Sequence, residues 1–346
     1  MGKLLLWPSL ALTPAALIAG HMFHANETLV FTVAALALGP LAFLIGEATE
    51  QIAEHVGPGV GGFLNASFGN APELIIALFA VSSGLPDVVR GSITGSVVST
   101  SLLVLGAAMI FSRDDSEIDR RSIFLQSAMV VGAGLLFLIP SISGWHGDPE
   151  RHSLYMLTLP IAGLLLAVYI ALTVKNLRVH RSEHTADPAD DAWSLRNGVV
   201  ILTVATVATA FVSEQLVHTI GAFGESLGLS EFFVAVVIVA LVGNATEHGG
   251  AIVVARRGNP KLGAEIAVSS AAQVAVFVAP AIALGSGLMG KGLTLNFRPI
   301  EVATMIGSGL VVALVALDGR TRRWEGALLT LLYLGAVAGF WFTGDR

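Results

Sequence analysis

In a chain of 346 residues, 54% are apolar and 13% charged, with a mean hydropathy of +0.77. That composition belongs to a membrane protein rather than a soluble domain, with room for about ten or eleven spans of roughly 20 residues each. The absence of cysteine excludes disulfides, thiolate nucleophiles and thiolate metal sites, and a net charge of −6 offers no basic field to nucleic acid.

Eleven apolar spans can be traced, approximately 3–23, 28–54, 62–83, 86–111, 121–141, 153–176, 194–219, 229–256, 259–288, 298–317 and 323–342. The first follows Lys3 and mimics a signal peptide. Pro8 and Pro14 interrupt it and no convincing small-x-small cleavage site follows, so it is expected to remain as a helix. The longest polar connection, around 177–192, carries Arg178, Arg181, Glu183, Asp187, Asp190 and Asp191 and divides the chain in two. Basic residues fix the expected orientation. All but Arg90, Arg151, Lys291, Arg298 and Arg346 fall on the side shared by the N-terminus and the even-to-odd connections. The positive-inside rule then puts the N-terminus in the cytoplasm and the C-terminus outside, in what the short termini suggest is a prokaryotic inner membrane.

The third and eighth spans carry Gly69-Asn70-Ala71-Pro72-Glu73 and Gly243-Asn244-Ala245-Thr246-Glu247. A charged carboxylate at the centre of a membrane helix costs about 2.5–3.5 kcal/mol on insertion scales, so each glutamate needs a reason. A spacing of three puts Asn70 beside Glu73, and Asn244 beside Glu247, on one helix face. Adding 174 to Gly69, Asn70, Ala71, Glu73, Ala77, Gly84, Pro86, Ser96 and Val104 reaches the same residue type each time, which is an internal repeat.

The expected architecture is therefore an all-α membrane protein of about 11 transmembrane helices. It comprises an extra N-terminal helix (1–26), a first five-helix repeat (27–176), a polar linker (177–193) and a second five-helix repeat (194–346). Five is odd, so the copies enter the membrane from opposite sides. Such inverted repeats place a substrate site at the midplane where the copies meet, and would set Glu73 facing Glu247.

Two facing carboxylates repel, and one would keep its proton through a raised pKa unless a cation sits between them. A hard divalent ion such as Ca²⁺ suits the pair, with the Asn70 and Asn244 amides and carbonyls freed near Pro72, Gly69 and Gly243 completing the oxygen shell. The bland reading is a structural pair bonded to nearby amides. A second tier is Glu50, late in helix two after Gly46-Glu47-Ala48-Thr49, and Glu214, late in helix seven. These are candidates for proton passage on opposite sides of the centre, whereas Glu47 and Glu54 read as wetted helix-end charges. His248 follows Glu247 and titrates near neutrality as an isolated group; packed residue, proton relay and ligand all stand open. Ser99 and Gln273 correspond across the repeat and either add oxygens from the flank or bond helix to helix. Neither a zinc-binding H-E-x-x-H spacing, a phosphate-cradling motif nor a nucleophile elbow is present.

Gly46-Glu47-Ala48-Thr49-Glu50 followed by Asn65-Ala66-Ser67-Phe68-Gly69-Asn70-Ala71-Pro72-Glu73 resembles the first repeat of the calcium/proton exchangers. Ser213-Glu214 followed by Val242-Gly243-Asn244-Ala245-Thr246-Glu247-His248 resembles their second, and the likeness runs through nearly the whole chain. It implies that Glu73 and Glu247 bind the exchanged cation and release it on protonation, and that Glu50 and Glu214 serve cation or proton access. Asn70 and Asn244 separate this pattern from sodium/calcium exchangers, which carry a Thr-Ser element there. Two departures stand out: Thr100, where the family commonly has asparagine, and a weak version of the family's acidic helix at 177–192.

The expected activity is secondary antiport of Ca²⁺, or a related divalent cation, against H⁺, with no catalytic residue and no cofactor beyond Ca²⁺ as cargo. The expected partners are the cation, protons and the lipid bilayer, without nucleic acid, and a homo-oligomer is compatible with the chain. The rival readings are a Na⁺-coupled or Mn²⁺-selective exchanger of the same fold, a passive cation channel and, least favoured, an intramembrane acid–base enzyme.

Overall fold

The computed structural model describes residues 10–22, 26–180 and 193–343. The start of the expected first helix and most of the polar linker lie outside the described residues. The helices are α1 (Leu12–Met22), α2 (Glu27–Phe68), α3 (Ala71–Ser82), α4 (Pro86–Phe111), α5 (Arg120–Gly144), α6 (His152–His180) and α7 (Leu195–Leu227). There follow α8 (Glu231–Gly243 and Ala245–Arg256), α9 (Pro260–Leu288), α10 (Pro299–Val315) and α11 (Arg323–Phe342). A two-residue ribbon pairs Ser116 with Thr321 and Glu117 with Arg320. Among the described residues, eight helices are long and apolar enough to cross a membrane, and nine if the bent pair of α8 counts as one span. The α6 helix runs on to His180, four residues into the stretch expected as linker.

The ends of these helices are written in the local sequence. Pro86, Pro260 and Pro299 stand where the first-turn N–H has no intrahelical partner anyway. Asp119, Ser194, Ser230 and Asn259 accept hydrogen bonds from the first-turn N–H groups of the helices they precede. Within α2 the backbone turns left-handed at Gly57 (φ 86°), a conformation open to glycine, and the helix kinks there.

The chain divides into two compact units. The first is Met1–Phe79, Ala167–Leu229 and Val242–Thr246; the second is Ala80–Leu166, Ser230–Leu241 and Glu247–Arg346.

In the first unit, α2 packs along α7. Leu44, Ile45, Ala48 and Ile52 close on Leu202 and Ala205. Phe31 near the start of α2 stacks on Phe223 near the end of α7, with ring centroids 4.0 Å apart, while Ile52 meets Gly198 at the opposite end. The two helices are therefore antiparallel.

In the second unit, Gly91 and Gly95 of α4 take the backbone of α8 against them. A Cβ at Gly95 would lie inside the radius of Val236 O and 2.6 Å from Ala240 Cβ, so only glycine permits this crossing. Gly106 meets Gly326 of α11, and Gly134 and Gly309 let α5 and α10 close on each other. The α4 helix widens to a π-turn at Ser99–Val104 and α9 does so at Val274–Val278, positions that the 174-residue offset relates. Such turns free carbonyls from the regular ladder.

Between α9 and α10 the chain forms neither helix nor strand, and its residues Leu293, Thr294, Leu295, Asn296 and Phe297 are buried. A buried backbone must find partners for its N–H groups. Here hydroxyls supply them: the N–H of Leu293 donates to Ser286 Oγ (2.8 Å), that of Leu295 to Thr158 Oγ1 (3.1 Å) and that of Phe297 to Ser141 Oγ (2.9 Å). Trp145 Nε1 donates to the Phe297 carbonyl at 2.9 Å. The sequence suggests only a short connection here.

Candidate functional site

Both signature stretches fall at helix breaks. Between α2 and α3 the helix stops at Gly69-Asn70 and restarts at Ala71, with Pro72 in its first turn, where a missing N–H costs nothing. The two parts of α8 meet at Asn244 with a bend of 58°. Each break leaves the glutamate in the first turn of the following helix, near the N-terminal end of its dipole. Discontinuous helices are where many secondary transporters place their substrate and ion sites.

The first unit holds Asn70, Glu73 and Asn244. Asn70 is 3% exposed and Asn244 0%, and both carboxylate oxygens of Glu73 are buried. Gly243, from the second signature stretch, lies directly against Glu73. A Cβ built on Gly243 would stand 3.5 Å from Glu73 Cγ and 3.7 Å from its Oε1. The flank is sealed by α2, where a Cβ on Gly46 would reach Thr246 Cγ2 at 3.5 Å.

Glu50 and Glu214 also belong to this unit, and both are exposed on their helices. Beside Glu214 it is Ser213 that turns inward, wholly buried, with its Oγ lacking a hydrogen-bond partner among the described residues. Glu54 is half-buried with Oε2 enclosed, which departs from the expectation of a wetted helix-end charge.

The second unit holds Glu247, His248, Ser99 and Gln273. Oε2 of Glu247 and Nε2 of His248 are buried and lack hydrogen-bond partners among the described residues. Ser99 opens the π-turn of α4, wholly buried, and its hydroxyl donates to the Ser96 carbonyl at 3.4 Å. Thr100 donates to the same carbonyl. Gln273 immediately precedes the π-turn of α9, and Ser270, one turn earlier, has a buried Oγ with no hydrogen-bond partner among the described residues. Among the described residues no three acidic or histidine side chains cluster as a metal site.

Sequence reasoning missed a second polar centre, confined to the second unit. Arg90, 1% exposed, donates to Asp87 Oδ1 (2.6 Å), Glu150 Oε1 (2.7 Å) and the carbonyl and hydroxyl of Thr294. Arg298 pairs with Asp87 Oδ2 at 3.3 Å and lies 3.9 Å above the Phe232 ring. Glu301, 1% exposed, accepts from Thr94 Oγ1 (3.1 Å) and from the Arg298 N–H (2.6 Å). The signal was present: Arg90 and Glu301 are ionisable residues inside apolar spans, and such residues need partners. Arg90 had been counted only as a topology marker.

The sequence profile of the sodium/calcium exchanger proteins matches residues 26–177 and 197–342. A Ca²⁺/H⁺ antiporter of Aphanothece halophytica is 34% identical over 348 residues, covering 93% of this chain and 92% of its own. The Ca²⁺/H⁺ antiporter ChaA of Bacillus subtilis is 34% identical over 338 residues, covering 93% and 95%. Among solved structures, native YfkE superposes with a TM-score of 0.82 at 31% identity, covering 97% of this chain and 99% of its own. The broken helices, the paired signatures and these likenesses agree: the chain is a multi-pass, all-helical membrane protein that belongs to the sodium/calcium exchanger family.

Proposed function

We propose that the protein exchanges Ca²⁺, or a related divalent cation, for H⁺ across the membrane by competition of cation and protons for Glu73 and Glu247. The observation that carries this reading is the contact of Gly243 with Glu73. It brings the second signature to the first, and Glu247 follows Gly243 by four residues in the same stretch. With both carboxylates ionised, the site has the charge to hold a doubly charged ion against its hydration. Protonation removes that charge and releases the ion, so a gradient of either species drives the other. Asn70 and Asn244 contribute neutral oxygens. Glu50 and Glu214 connect the site to water on opposite faces, with His248 beside the path. Ser99, which opens the π-turn of α4, and Gln273, just before that of α9, add oxygens from the flank.

The architecture we assign is one extra helix followed by two inverted five-helix repeats, 27–176 and 194–346, joined by the polar linker at 177–193. It is supported by the 174-residue offset between the helix breaks and between the π-turns, and by the antiparallel packing of α2 on α7. In this reading α2 and α7 move against α3, α4, α8 and α9 to alternate access. The N-terminus is cytoplasmic.

Reconstituted vesicles with an imposed pH gradient test the function. Ca²⁺ uptake that follows the gradient without Na⁺ supports it. Uptake that requires Na⁺, or movement of Ca²⁺ with no proton counterflux, refutes it in favour of sodium coupling or a channel.

A further inference from the structure

We propose that the basic end of α5 is a binding site for the headgroup of an anionic phospholipid. Among the described residues, Arg120, Arg121, Phe124 and Leu125 line a cavity of about 330 Å³. Spacings of three to five put the two arginines one helical turn above the two apolar side chains, on one face. Both arginines are exposed, and neither guanidinium has a hydrogen bond or a carboxylate partner among the described residues. Among the neighbouring charges Glu117 is exposed, and several others are already committed. Asp119 accepts the Ser122 N–H at 3.0 Å and faces Lys261 at 3.6 Å, which together hold its carboxyl below the usual carboxylate range. Arg320 pairs with Asp115, and Arg322 with Asp318 at 2.7 Å.

Below the arginines, Phe124 is 50% and Leu125 55% exposed, an apolar floor half open to its surroundings. Two positive charges above a half-exposed apolar floor match a phosphodiester above its acyl chains, and guanidinium groups grip phosphate oxygens two at a time. A water-soluble phosphate would satisfy the arginines but leave the floor bare. This site lies apart from the candidate ion ligands and does not depend on the transport reading.

The test is retention of phosphatidylglycerol by the full chain, purified from vesicles of phosphatidylcholine carrying a minority of phosphatidylglycerol and weighed intact with its bound lipid. The double variant R120Q/R121Q is expected to bind it about thirtyfold more weakly, the equivalent of about 1 kcal/mol per arginine. The control is R256Q/R257Q, an exposed arginine pair at the end of α8, which is expected to leave retention unchanged. F124S/L125S, which keeps the charge, is expected to weaken retention several-fold. Equal losses in the two arginine variants would show only general attraction and overturn the site. So would retention that ignores R120Q/R121Q but rises when Glu183, Asp187, Asp190 and Asp191 are made uncharged, since the acidic stretch would then be the occupant. A thermal midpoint in detergent close to the parent's confirms that each variant is folded.

Discussion

Gly243 of α8 lies against the Glu73 side chain at ordinary van der Waals distance, the position of its absent Cβ being 3.5 Å from Glu73 Cγ. The first signature's carboxylate and the second signature's backbone thus share one wall of the candidate site. At 3.5–3.7 Å a single methyl fits, but branches beyond it do not. Gly243→Ala is expected to bind Ca²⁺ nearly as the parent does. Gly243→Val forces the carboxylate aside and is expected to lower Ca²⁺ affinity about tenfold, the equivalent of about 1.4 kcal/mol and within the range for overpacking. Titration of Ca²⁺ into the detergent-purified variants reads the difference. Equal affinity in both would mean that Glu73 does not hold the ion.

Proton competition has a fixed sign. Acid protonates the carboxylates and removes ligand charge, so Ca²⁺ affinity is expected to fall as pH drops from about 8 to about 5. Glu50→Gln and Glu214→Gln are expected to cripple pH-driven transport while leaving expression and Ca²⁺ binding near parental levels. Transport rates measured against the imposed gradient check this. Unchanged rates in both would remove those residues from the proton route.

Arg90 is the centre of the buried charge network in the second unit. Arg90→Met leaves Asp87 and Glu150 without their shared guanidinium. Both carboxylates are about one-third exposed, so the expected loss is about 3 kcal/mol, the low end of the range for a broken buried pair. The thermal midpoint in detergent reports it. A midpoint within a degree of the parent would show the network to be dispensable.

Asp119 gives a pH-dependent signature outside the spans. Its carboxyl is held low by the Ser122 N–H and by Lys261, so its stabilisation is complete above the unfolded value of about 3.9 and is lost as pH falls through the lower folded value. Asp119→Ala is expected to unfold at a lower temperature than the parent at neutral pH, with the gap closing only in strong acid. A gap that closes between pH 5 and 7 would point to another group, one that titrates above the ordinary carboxylate range.

Much of this was legible in the residues. Apolar runs marked the spans to within a few residues at α4, α5, α9, α10 and α11, because a spanning helix must be apolar along its length whether it faces lipid or, as α4 and α9 do, mostly other helices. Gly69 and Gly243 with Pro72 announced the breaks, since each weakens the helical ladder. The buried stretch at 293–297 was not legible, because its partners Ser141 and Thr158 are far off in sequence and, with Ser286, look like ordinary helix hydroxyls. Nor was the inward turn of Ser213 rather than Glu214: sequence shows that adjacent positions face differently, not which one faces the core.

The most direct measurement is Ca²⁺ uptake by proteoliposomes under an imposed pH gradient, comparing the parent with Glu73→Gln and Glu247→Gln. Uptake by the parent that rises and falls with the gradient, together with its loss in both variants, is the expected result. Gradient-driven uptake that survives either substitution would contradict the assignment of the two carboxylates as the shared seat of cation and proton.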